Sequence, residues 1–102
     1  MHDPLCFHCQ QSAEKYLKAL LEEGGALVPQ THDLDVLLNL VLPAHAKMAS
    51  LRRILNILTQ YAVEYRYPRF HASSRQARSA LRHAVRVREH VRRALGLRFR
   101  NR

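Results

Sequence analysis

The residues best suited to chemistry lie in Glu64-Tyr65-Arg66-Tyr67-Pro68-Arg69-Phe70-His71. Arg66 and His71 are separated by four residues and straddle a proline. That spacing can bring a permanent cation and a group titrating near neutrality to the same phosphate. Such a pair can cut RNA without metal: histidine moves a proton between the ribose 2′-hydroxyl, or the leaving 5′-oxygen, and solvent, while arginine holds the charge of the phosphorane. Histidine has the required pKa range without special tuning, and two copies across a dimer would supply both acid and base. The competing reading makes Arg66 a partner of Glu64 or a cap on a helix C-terminus, where cations are favoured, and His71 an ordinary loop residue. The spacing recurs at Arg78 and His83 within a helical stretch, so spacing alone does not select the site.

Other candidates surround this pair. Tyr65, Tyr67 and Phe70, with Tyr61, could stack on bases beside Arg69; at helical spacing, Tyr61 and Tyr65 equally suit a core or an interface. His32, beside Thr31, could meet a ligand phosphate at a helix N-terminus, or Thr31-His32-Asp33 could be a cap fixing a short helix against the first. Gln10, Gln11 and Lys15 are polar groups that could face a nucleotide pocket or a partner. Cys6 and Cys9 flank His8, but no second cysteine pair completes a zinc site. Two buried thiols are the better reading, and no metal or cofactor is expected.

Four helices must position these residues. The first is expected from about Asp3 to Glu23, with Asp3 as cap and Pro4 at the first position. Leu5, Cys9, Ala13, Tyr16, Leu17 and Leu20 recur on one face, with Glu14, Lys15, Lys18 and Glu22 on the other. Gly24-Gly25 ends it. Thr31 or Asp33 caps a short helix carrying Leu34, Leu37, Leu38 and Val41, which Pro43 stops. A third is expected from about Ala44 to Arg66, with Leu51, Ile54, Leu55, Leu58, Ala62 and Tyr65 on one face, ended by Pro68. The last runs from Ser73 or Ser74 to Gly96. Its seam is Ala77, Ala80, Leu81, Ala84, Val87, Val91 and Ala94, and Arg75, Arg78, Arg82, Arg86 and Arg93 lie opposite.

The chain of 102 residues allows one domain. It contains three glycines and four prolines and no alternating strand pattern, so an all-α, up-and-down four-helix-type bundle is expected over residues 1–102, with its core at about 5–95 and a basic tail at 97–102. Nothing approaches a membrane span or a signal segment, and a cytoplasmic protein is the default. Charge is divided unevenly: residues 1–50 hold three lysines against six acids, and residues 51–102 hold fourteen arginines against two. The arginine stripe is either a solvated face or a nucleic-acid surface. So small a bundle has a thin core, which self-association would relieve.

Three blocks in order carry a resemblance: Cys6-Phe7-His8-Cys9-Gln10-Gln11-Ser12-Ala13-Glu14-Lys15-Tyr16-Leu17-Lys18-Ala19-Leu20-Leu21, then Thr31-His32-Asp33-Leu34 with Leu37-Leu38, then Tyr65-Arg66-Tyr67-Pro68. Together they closely resemble the HEPN domain family (higher eukaryotes and prokaryotes nucleotide-binding). The resemblance implies a bundle of four or five helices, a homodimer with its site near the dimer interface, and pairing with a minimal nucleotidyltransferase in a two-component or toxin–antitoxin system. It implies either a metal-independent RNase, with Arg66 and His71 as the arginine and histidine of its motif, or a non-catalytic branch that binds nucleotide or a partner. A passive nucleic-acid-binding bundle is the remaining class. Two departures stand out. Relatives have another helix before the cysteine block, so apolar surface on the remaining helices would need cover. RNase members often carry a tyrosine two positions after the histidine, open to modification with AMP, where this chain has Ser73.

Overall fold

The computed structural model describes residues 5–65 and 74–96, except the side chains of 62, 64 and 65. Four α-helices follow one another: α1 (Leu5–Glu23), α2 (Leu34–Val41), α3 (Arg52–Tyr65) and α4 (Ser74–Ala94), with a 3₁₀ segment at Ala46–Leu51 leading into α3. The described residues contain no strand. This is the expected all-α bundle.

Helix α1 is the central element. It packs most extensively on α4, then on α3, then on α2. Its core side chains are Cys6, Cys9, Ala13, Leu17, Leu20 and Leu21, all buried, while Leu5 and Tyr16 are only partly covered. Both cysteines are buried thiols of the core and form no disulfide among the described residues, the better of the two readings above. Opposite them lie Leu34, Leu37 and Leu38 of α2, Leu55 and Leu58 of α3, and Val87 and Val91 of α4. Removing roughly 25 cal/mol of apolar exposure per Å² from water at these positions is the main force assembling the bundle.

The ends of the helices follow local chemistry. The Gly25 N–H donates to Glu22 O at 3.0 Å and the Ala26 N–H to Leu21 O at 3.0 Å, with Gly25 at φ 79°. This pair of bonds is a Schellman stop, and its left-handed residue is glycine because a Cβ there would be strained. Asp33 caps α2 by accepting from the N–H groups of Asp35 and Val36, and Thr31 Oγ1 accepts from the Asp33 N–H at 3.1 Å. Arg52, at the start of α3, donates to Asp35 and, at 2.6 Å, to Asn39 Oδ1, tying α3 to α2.

Three expectations need correction. The stretch from Ala44 to Arg66 is not one helix. Its first part is the 3₁₀ segment, which His45 precedes without a side-chain cap, so only α3 proper has α-helical bonding. Leu81, placed by its spacing in the seam of α4, is 49% exposed: the covered face is centred on Ala77, Ala80, Ala84, Val87 and Val91, all buried, and Leu81 falls at its edge. Glu14, placed on the polar side of α1, is only 8% exposed. With α2, α3 and α4 all packed on α1, its covered face is wider than an apolar stripe alone would indicate.

Candidate functional site

The polar groups buried by this arrangement gather on one side of α1. Gln10 and Glu14 lie one turn apart and both are buried. Gln10 Nε2 donates to the His32 carbonyl at 3.0 Å. The two carboxylate oxygens of Glu14 lie 2.9 and 3.1 Å from His32 Nδ1, and Oε2 also accepts from Lys18 Nζ at 2.9 Å. His32 is therefore held by both its backbone and its ring, so the cap segment before α2 is pinned against α1. Thr31-His32-Asp33 does the work expected of a cap.

Burial would raise the pKa of Glu14, but Lys18 and then His32 outweigh it through hydrogen bonds and charge, leaving the carboxyl below its ordinary value of 4.5. An ionised carboxylate can only accept, so Nδ1 of His32 carries a proton and Nε2 is the nitrogen left for other partners. The His32 side chain is 77% exposed, so that nitrogen is reachable from solvent.

A depression of about 300 Å³ lies beside this dyad, lined by Gln11, Glu14, His32, Thr59 and Val63 among others. Thr59 Oγ1 is buried there and has no hydrogen-bond partner among the described residues. An orphaned buried hydroxyl calls for an explanation, and a polar group of a ligand is one.

The sequence-predicted residues divide into three sets. Gln11 and His32 come together at this depression. Lys15 does not join them: it lines a separate depression on the outer side of α1 with His8, Ser12 and Tyr16, which Gln11 also borders. Arg66, Tyr67, Arg69 and His71 lie outside the described residues, as does the side chain of Tyr65, the last residue of α3. Sequence reasoning missed Glu14 and Thr59. The available signal was a glutamate and a glutamine one turn apart beside Cys9, Ala13 and Leu17, which marks polar groups held at the edge of a core.

Helix α4 presents the other chemical surface. Arg75, Arg78, Arg82, Arg86, Arg88 and Arg93 are exposed, and none of them forms an ion pair among the described residues. Partial burial, then the charges of Arg82 and Arg86, depress the pKa of His83. The described residues hold no cluster of three or more metal-ligating side chains. None of their helices is long and apolar enough to cross a membrane.

Compared with known proteins, residues 1–94 match the family model described as HEPN domain. No match is found among curated proteins or among solved structures. The matched span takes in all four helices, the pinned cap before α2 and the arginine–histidine segment between α3 and α4, and the chain belongs to the HEPN domain family.

Proposed function

We propose that this HEPN domain is one component of a two-gene system with a minimal nucleotidyltransferase, in the manner of a toxin and its antitoxin, and that it is a metal-independent endoribonuclease acting through Arg66 and His71. The observation that supports this is where the motif falls within a HEPN chain. Helix α3 is described as far as Tyr65, Arg66 is the next residue in sequence, and α4 is described from Ser74, three positions beyond His71. Arg66 neutralises the phosphorane while His71 takes the proton from the 2′-hydroxyl or returns one to the 5′-oxygen. A homodimer would bring two such pairs together, so that one imidazole acts as base and the other as acid. Cys6 and Cys9, buried and outside any disulfide, suit a reducing compartment, which agrees with work in the cytoplasm. Ser73 stands where RNase relatives carry a modifiable tyrosine, so control by modification of that side chain is not part of the proposal.

The purified chain is expected to degrade single-stranded RNA in EDTA. His71→Ala should slow cleavage by about 10²–10⁴-fold, the usual share of general acid–base catalysis, with circular dichroism and melting unchanged. Cleavage at the normal rate by His71→Ala would overturn the assignment.

One observation favours a non-catalytic, nucleotide-binding subunit instead: the depression lined by Gln11, His32 and Thr59, whose buried hydroxyl has no hydrogen-bond partner among the described residues. In that case the same preparation binds nucleotide without cutting RNA, and His32→Ala weakens binding.

A further inference from the structure

A further depression, of about 740 Å³, lies where the connection between α2 and α3 meets the last turns of α4. His45, Lys47, Ser50, His90 and Arg93 supply its polar lining, and none of the described residues lining it is an acid. It continues into a groove of about 690 Å³ along α4, which shares His90 and Arg93 and adds Arg82, Arg86 and a single acid, Glu89. Lys47 and Arg93 are exposed and make no ion pair among the described residues. The ring of His90 is oriented by its own helix: Nδ1 donates to the Arg86 carbonyl at 2.9 Å, which leaves Nε2 for a ligand.

We propose that this depression and its continuation along α4 form a binding track for the phosphate backbone of a single-stranded nucleic acid. From Arg82 to Arg93 the helix rises about 16 Å at 1.5 Å per residue. That length is too great for one phosphate and suits a polymer. The cations of α4 are all arginines, whose planar fork pairs with two phosphate oxygens at once. Exposed Leu81 and half-buried Val85 border the groove, giving apolar surface for base faces beside the charges. A second copy of this face would be repelled by its like charge. The track starts at the end of α4 away from Ser74. It is measured by binding and holds whether or not the chain cuts RNA.

The test uses the full chain and a labelled 12-nucleotide 2′-O-methyl oligonucleotide, which lacks the hydroxyl needed for cleavage, read by fluorescence anisotropy. Binding is expected to weaken steeply with salt. Lys47→Ala combined with Arg93→Ala should weaken it at least tenfold and flatten the logarithmic salt slope by about 1.4, the loss of two single-strand phosphate contacts at ~0.7 each. Arg53→Ala, exposed and lining neither depression, should change it less than twofold. Circular dichroism confirms that the variants are folded. The proposal fails if the double variant binds within twofold of the parent chain. It fails equally if a polyglutamate of the same charge binds as tightly, which would indicate an acidic protein partner. Displacement of the oligonucleotide by inorganic phosphate at equal phosphate concentration would also overturn it, because that marks a single-phosphate pocket.

Discussion

Glu14 is the residue whose surroundings most change what the sequence alone suggests. It looks like a surface acid, yet it is buried and accepts from Lys18 and His32. Its folded pKa lies below 4.5, so the protonated form is disfavoured in the fold relative to the unfolded chain. The stability it contributes is present above about pH 4.5 and is lost as pH falls through the folded value. Glu14→Gln should therefore cost about 1.5 kcal/mol near neutrality, the low end of the roughly 1.5–3 kcal/mol usual for a hydrogen bond to a charged group. It should also flatten the acid limb of a stability-against-pH curve from chemical denaturation. The cost is modest because Lys18 and His32 are both exposed enough to be rehydrated. An unchanged acid limb would show that the carboxylate is not held as described. His83 has the same sign: its depressed pKa means stability falls on acidification through the ordinary histidine range near 6.5.

Among the elements, α2 depends most on its cap. A helix of eight residues cannot stand alone in water, since nucleation is unfavourable and few bonds follow it. It persists because Leu34, Leu37 and Leu38 are fully buried and because Asp33 satisfies two N–H groups. Asp33→Ala is expected to cost about 1 kcal/mol by thermal or urea denaturation, while Asp33→Asn should cost a few tenths at most. Equal losses for the two would mean that the carboxylate charge, not the cap bonds, matters. The cap was legible in Thr31-His32-Asp33, because capping is set by neighbours in the chain. The 3₁₀ segment before α3 was not legible, because Ala46, Met48 and Leu51 carry apolar spacing compatible with either helix. Packing of Met48 and Leu51 into the core accompanies the tighter turn. On α4, like charges at positions 78, 82 and 86 each cost a few tenths of a kcal/mol through i,i+4 repulsion. The burial of Ala80, Val87 and Val91 offsets that.

For the whole molecule, α1 is the hub and its centre should be the least tolerant place to alter. Leu17 is fully buried. Leu17→Ala is expected to lose about 2–5 kcal/mol, a large part of the roughly 5–15 kcal/mol available to a chain of this size. Its melting temperature should fall by more than about 10 °C. Leu27→Ala, at a residue 95% exposed, should stay within about 0.5 kcal/mol. A small effect at Leu17 would argue that a partner subunit, not this core, carries the stability.

The sequence alone determined the helical class, the four segments, the glycine and aspartate boundaries, the buried cysteines and the charge contrast between the two halves. These follow from local rules: helical period, capping and composition act over one or two turns. It also showed the family, through three ordered blocks that the match over residues 1–94 bears out. The tertiary structure decided the depth of each side chain and the company it keeps. Periodicity assigns a residue to a face of its own helix but not to the number of helices that cover that face. Hence Glu14 is buried and Leu81 is exposed, against expectation. Lys47 and Arg93 stand 46 positions apart in the chain, and only the packing of the α2–α3 connection against the end of α4 makes them line one depression.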